Sequence, residues 1–429
     1  MVVATRKLED AGQLLDVFSA PSGESAWAQA ARAKAEGLIR REGAPSRRDE
    51  YWKYTDPAAL TCVPAQPASV LEVDEKRLFE DAERVEFVFV DGVFSPELSD
   101  APELAGADIQ PLRDALAADI HWAKDIFGVL EGNGQAPVVR PMAALNTARA
   151  TEGFVIRVHG KLAKPISFVY LRKNEQADAM VRHVIRVEAE GDATILEDGP
   201  AAARFNSVLE VDVAGGGAFH HVRAQGRDHE RHAWTGAFAR LGQESTFKSF
   251  TLSMNGRLTR NECVIELTGD EAVAHVAGAS IGEGDFRHDD TVFITHDAVD
   301  CESRQVFKKV LRTGATGIFQ GKILVKPDAQ KTDGYQISQS LLLDDDSQFL
   351  TKPELEIYAD DVACSHGSTS GAVDETSLFY LRSRGLQKEE AEELLVLAFV
   401  DEAISEIENE DFADRVRERL AAWLLRHRG

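Results

Sequence analysis

Cys364 and His366 stand two residues apart in PELEIYADDVACSHGSTSGAVDE, residues 353–375. If this segment is extended, alternate residues share a face. Leu355, Ile357, Ala359 and Ala363 then make one face apolar, with Asp361 as the exception. The other face gathers Glu354, Glu356, Tyr358, Asp360, Cys364 and His366. A thiol and an imidazole on one strand face can reach a common atom. Soft sulfur and borderline nitrogen form a donor set that suits iron, zinc or copper(I). A closed site needs about four ligands, and this pair supplies two. On its own the pair therefore reads first as a structural Cys and His, with a partial metal site as the alternative.

Other chemistries fit less well. A cysteine nucleophile needs a base aimed at its sulfur and a third group that orients the base. Side chains two apart on a strand run parallel and rarely meet that way. GATGIFQGKI (314–323) resembles a phosphate loop, but G-x-x-x-x-G-K-[ST] fails at Thr316 and Ile323. No intrinsic ATPase is expected. His220 and His221 are consecutive, so a strand turns them to opposite faces. They read as surface or turn histidines, like His229 and His232. No isolated carboxylate pair in an apolar setting marks an acid/base dyad.

Three zones must position these residues. Residues 1–150 are mixed and mostly helical. Ser25 is placed to cap a helix through Trp27, Ala31 and Leu38 to Arg41, with Gly43 as its stop. RVEFVFVDGV (85–94) predicts a strand and an Asp-Gly turn. A helix is expected over about 110–131. From 151 to 370, short β-branched runs such as FVIRVHG, ISFVYLR and SVLEVDVAGGG alternate with glycine turns. The glycines follow no strict repeat. That length favours a β-solenoid over a single sandwich. Residues 371–429 turn helical. Asp374 can cap DETSLFYLRSR, and acidic residues open the next helix as its dipole prefers. Leu394, Leu395, Leu397, Ala398 and Phe399 make a wide apolar band, which reads as helix packing or as a partner dock. Phe412, Val416, Leu420, Trp423 and Leu424 line one face of a last helix ending in Arg426, His427 and Arg428.

Composition narrows the classes. The 429 residues carry 72 acidic and 48 basic side chains, a formal net charge of −24. Such a field repels phosphate backbones and anionic lipid, so neither nucleic acid nor a membrane surface is expected as partner. The four cysteines, Cys62, Cys263, Cys301 and Cys364, are scattered, which suggests free thiols and a reducing, cytoplasmic setting. The N-terminus lacks the apolar region of a secretory signal. The longest apolar run, Leu394 to Val400, is far short of the roughly 20 residues a spanning helix needs.

Long strings of this chain resemble the SufB/SufD family of iron–sulfur cluster assembly. They are SRQVFKKVLRTGATGIFQGKILVKPDAQKTDGYQISQSLLLDDD, TKPELEIYADDVACSHGSTSGAVDE and LFYLRSRGLQKEEAEELLVLAFVDE, together spanning about 303–402. Weaker matches are LNTA (145–148), KPISF (164–168) and ILED (195–198). The opening PSRRDEYWKYTD (45–56) and the shorter chain are similar to the SufD type; a SufB-type paralogue, acting as direct scaffold and sulfur acceptor, is the alternative.

The resemblance implies a right-handed parallel β-helix core flanked by N-terminal and C-terminal α-helical regions. It implies a non-enzymatic scaffold that pairs with SufB through the β-helix and binds the ATPase SufC through its C-terminal helices. The band of Leu394, Leu395, Leu397 and Phe399 would form part of that dock. The family's CSHG pair falls on Cys364 and His366 with no departure. His366 is then expected as an iron ligand or as the point where metal enters, with Cys364 beside it. The iron–sulfur cluster would be transient and shared with SufB. The family complex is also linked to a reduced flavin, for which no motif stands here. A homodimer is the alternative assembly for the isolated chain. Outside the family, a carbohydrate-acting β-helix enzyme competes; it would need carboxylates or basic residues lining a groove.

Overall fold

The computed structural model describes residues 2–70, 76–133, 138–226 and 228–427. Four strands come first: β1 (Val85–Val90), β2 (Val93–Phe94), β3 (Glu103–Leu104) and β4 (Ala107–Pro111). A long run follows: β5 (Phe154–Val158), β6 (Ile166–Leu171), β7 (Asp178–Val187), β8 (Asp192–Asp198), β9 (Arg204–Val213), β10 (Ala218–Gln225), β11 (His232–Leu241) and β12 (Thr246–Met254). It continues with β13 (Leu258–Leu267), β14 (Val273–Glu283), β15 (Arg287–His296), β16 (Glu302–Arg312), β17 (Thr316–Val325), β18 (Asp333–Leu342), β19 (Gln348–Ile357) and β20 (Ala363–Gly371).

From β5 onward the chain alternates between two sheets. Each strand pairs in parallel with the strand two places on. The even sheet ends β14-β16-β18-β20 and the odd sheet ends β13-β15-β17-β19. The result is a parallel β-solenoid of about 7 turns. Partners are 26 residues apart at Asp192↔Ala218 and 31 apart at Glu302↔Asp333, so no fixed repeat exists to be read. One corner explains the irregular glycines. Glu190, Glu244, Glu271, Asp300 and Lys331 take φ of 53–60° there, and Gly216 does so in another coil at 71°. A non-glycine residue in that region costs roughly 1–2 kcal/mol. Charged residues thus fill most of the positions where glycine would have marked the period.

The helices are α1 (Val2–Val17), α2 (Ala26–Glu42), α3 (Ala58–Thr61), α4 (Leu112–Ala117), α5 (Pro141–Arg149), α6 (Glu375–Ser383), α7 (Lys388–Ile404) and α8 (Glu410–Arg426). No helix among the described residues is long and apolar enough to cross a membrane. Gly43 ends α2 at φ 79°. Ser25 precedes α2, but its hydroxyl makes no cap bond; its backbone N–H goes to the carbonyl of Leu116 instead. Asp91 and Gly92, at φ 51° and 84°, turn β1 into β2 as the Asp-Gly pair predicts.

Two expectations need correcting. β1 pairs in parallel with β6, so the even sheet reaches back to residue 85, well before the change in texture at 151. The stretch 110–131 is no continuous helix: α4 stops at Ala117 and two short 3-10 turns follow. The bend has a use. It brings the N–H groups of Gly128 and Leu130 to 3.0 and 3.2 Å from the buried Glu210 carboxylate. Glu210 is also held by Arg182, 2.7 Å away.

At the C-terminus, Asp374 accepts a 2.6 Å bond from the Ser377 N–H and opens α6. Gly385, at φ 99°, follows the helix end. Phe412, Val416, Leu420, Trp423 and Leu424 are all buried, as their spacing predicts. Their cover is not only other helices. With Val396 and Val400 they pack on Val222, Phe250, Leu252, Ala277, Val306 and Val310 of the even sheet. Arg428 lies outside the described residues.

Inside the rod the first coils are apolar, with Phe154, Phe168, Ile195 and Phe205 in one cluster. Further along, a polar chain occupies the space between the sheets. Arg223 pairs with Glu197 and donates to Thr235 at 2.9 Å. Thr235 donates to Asn261 at 2.8 Å, and Asn261 donates to Asp290 at 3.2 Å. Lys309 closes on Asp290 at 2.6 Å and on His288 at 2.8 Å.

Candidate metal-handling site at the open end of the solenoid

β20 is hydrogen-bonded on one side only, to β18, and β19 only to β17. The last coil thus leaves two backbone edges without a strand partner among the described residues. Such edges are templates for another chain unless a protein blunts them.

The face of β20 that carries the candidate donors turns inward. Ser368 bonds Thr351 of β19 across the rod at 3.0 Å and stacks on Ser338 at 3.0 Å. His366 and Cys364 follow at steps of two, so they share that face. In register, Cys364 lies on Gly334 and His366 on Gln336. Cys364 packs against the cluster of Ile323, Val325, Ala329 and Ala359. A Cβ on Gly334 would stand 3.1 Å from its sulfur, so glycine there leaves room for the thiol. Burial, the largest cause, raises the Cys364 pKa above the ordinary thiol value. The group is therefore held toward its neutral thiol form. His366 is exposed, because no further coil covers it.

The single extended face expected over 354–366 does not form. The chain turns a corner at residues 358–362, between β19 and β20. Glu354 and Glu356 stay on the outside of the odd sheet, where Tyr51 and Lys352 meet Glu354 at 3.1 and 3.2 Å and Lys322 meets Glu356 at 2.5 Å. Cys364 and His366 point into the rod. The carboxylates and Tyr358 are thereby separated from the thiol and imidazole. No group of three or more His, Cys, Asp or Glu among the described residues could hold a metal ion.

The other sequence candidates are dispersed. Cys263 lies in the rod's core, its pKa pushed up to about 12 by burial. Cys301 is buried and Cys62 half-buried; all four thiols are free. His220 faces out toward Asp192 and Glu408, whereas His221 bonds Ser249 at 2.9 Å within the rod. GATGIFQGKI is mostly strand β17. In the apolar band of α7, Leu394 is 45% exposed and Leu395 half-buried, while Leu397 and Phe399 pack on the C-terminal core. Beside it, Phe379 and Tyr380 of α6 are 73% and 55% exposed. Sequence reasoning passed over these two. The signal was four consecutive large residues, Leu378 to Leu381, on a helix that can bury only one side.

The described geometry can be set beside known proteins. A family model described as "SUF system FeS cluster assembly, SufBD core domain" matches residues 170–399. The iron–sulfur cluster assembly protein SufD of Escherichia coli is 27% identical over 404 residues, covering 90% of each chain. An iron–sulfur cluster assembly SufBD family protein of Synechocystis is 28% identical, covering 87% of this chain and 86% of its own. The SufD of Bacillus subtilis is 26% identical over 431 residues, covering 94% of this chain and 95% of its own.

Proposed function

This chain belongs to the SufBD family of the SUF iron–sulfur cluster assembly system, and on that premise we propose that it is a non-enzymatic scaffold subunit contributing half of a cluster-building interface. One observation carries the reading. An unfinished donor pair, Cys364 and His366, sits on the terminal strand of a solenoid whose last backbone edges are open. A SufB-type partner laid against that end would pair the free edge and supply the missing ligands. Iron and sulfide are then cargo held between two chains. His366, the more accessible donor, meets the metal, and Cys364 stands beside it as its thiol gives up a proton.

The C-terminal helices are the proposed dock for a SufC-type ATPase. Leu394, Phe379 and Tyr380 supply exposed apolar surface there. Leu397 and Phe399 act from behind by holding α7 on the solenoid. No resident flavin enters the proposal. Beside a cavity of about 440 Å³ lined by Tyr51 and Trp52, Arg260 lies 4.2 Å over Trp52 and Lys352 lies 4.4 Å over Tyr51.

The test is co-expression with the SufB- and SufC-like proteins of the same organism. A stable complex is expected. Within it, His366→Ala should reduce cluster formation, read from the visible absorbance of the assembled cluster. Failure to form the complex would overturn the scaffold assignment itself, whereas full cluster formation with His366→Ala would leave a purely structural partner. Persulfide loading directly onto this chain would favour the SufB-type alternative.

A further inference from the structure

We propose that Gln336 is a positioning residue for His366, holding its ring through Nδ1–H so that Nε2 faces the metal. This rests on the reading of His366 as a ligand.

The register stacks Gln305, Gln336 and His366 in one column on the inner face of the even sheet. Gln305 and Gln336 are fully buried. Gln336 Nε2 donates to Gln305 Oε1 at 2.8 Å, which points the amide down the column. Its Oε1 is left buried with no hydrogen-bond partner among the described residues. An orphaned buried acceptor is costly, and native structures rarely leave one without a reason. The next residue up the column is His366, one strand spacing away, about 4.8 Å. Its exposed ring can turn onto that oxygen, and either ring nitrogen can carry the single proton of the neutral imidazole. The amide polarity decides which chemistry results: the free atom is an acceptor, so it takes a proton-bearing nitrogen and leaves a lone pair on the other. A histidine that ligates a metal commonly donates its remaining N–H to such a second group, which fixes its tautomer and orientation.

Gly321 supports the arrangement. A Cβ there would stand 2.3 Å from Gln336 Nε2 and 2.7 Å from Phe319 Cζ. The glycine that makes IFQGK look like a phosphate loop is the space that the Gln336 amide fills.

The test uses the isolated chain labelled with ¹⁵N-histidine, assigned by His366→Gln, above the ordinary histidine range. Long-range ¹H–¹⁵N correlation should find the Nδ1–H tautomer at His366 in the wild type. Gln336→Met should shift it to the Nε2–H form of an exposed histidine. Gln336→Glu, which keeps an acceptor at that position, should retain Nδ1–H. The same tautomer in wild type and Gln336→Met, or Nε2–H in the wild type, would overturn the proposal. In the assembled complex, Gln336→Met should weaken Co²⁺ binding by roughly 10–100-fold. The two readings fail separately: the tautomer is measured without metal or partner, whereas the ligand role is judged by cluster formation with His366→Ala.

Discussion

His275 of the solenoid donates through Nδ1 to Glu406, in the connection between the last two helices, at 3.0 Å, while Nε2 of the same ring lies 3.1 Å from Glu302. One imidazole thus bridges the even sheet and the C-terminal helical layer. Around it, Lys248 holds Glu408 at 2.8 Å and Arg304 bonds Glu302 at 3.3 Å. Lys308 pairs with Glu402 on the same side.

This latch should open in acid. Hydrogen bonding from His275 lowers the Glu406 pKa, and hydrogen bonding from Lys248 lowers that of Glu408. A carboxylate with a depressed folded value contributes stability that is complete above its ordinary range. That contribution is lost as pH falls through the lowered value. Glu406→Gln should therefore cost about 1 kcal/mol at pH 7, with the gap to wild type closing below about pH 4. Calorimetry across that range checks it; a gap independent of pH would remove Glu406 from the latch.

The solenoid core should carry its own, separate acid sensitivity. Burial pushes His183 down to about 3 and His296 to about 4. These rings stay neutral when folded, whereas the unfolded chain takes up their protons near pH 6.5. Stability should fall as pH drops from 6.5 toward those folded values, by about 1.4 kcal/mol per pH unit for each histidine. In His183→Gln the slope of urea-derived stability against pH should fall by one such proton. An unchanged slope would mean that His183 is already protonated in the fold.

Gly321→Ala should destabilise by about 1–3 kcal/mol, as overpacking of a filled core does. The added methyl would meet Gln336 and Phe319. Gly314→Ala is a useful contrast, because its Cβ would meet nothing within 4 Å. Its cost should come from backbone alone, at φ 81°. Equal thermal shifts with intact His366 tautomer in both would argue against the crowding at 321.

The α7 band should divide by mutation. Leu394→Asp and Phe379→Asp alter exposed positions, so stability should change by no more than about 0.5 kcal/mol, while capture of the SufC-like protein weakens. Leu397→Asp should cost folding itself, because Leu397 packs on the C-terminal core. If Leu394→Asp and Phe379→Asp leave SufC capture untouched, the dock lies elsewhere.

Much of the site was legible in the sequence because it depends on local periodicity. Cys364 and His366 share a face of β20 since strand side chains repeat every two residues. The same rule turned His220 and His221 to opposite faces. Asp374 capped α6 through a bond three residues away. Local rules failed where the chain turned. Counting by twos across 358–362 put Glu354 beside His366, but a corner separates them, and the residues that make such corners here are mostly charged rather than glycine.

By itself, then, the sequence determined the strand run, the helical termini and the pairing of thiol with imidazole. Each of these is settled within a few residues. Which way that pair points, what lies beneath it and what latches the C-terminal helices were decided only by stacking coils 26–32 residues apart. Gln336 under His366, Asp290 against Lys309 and Glu406 on His275 are neighbours only in that register. The register is set by the summed packing of many coils, a quantity that no local window of residues contains.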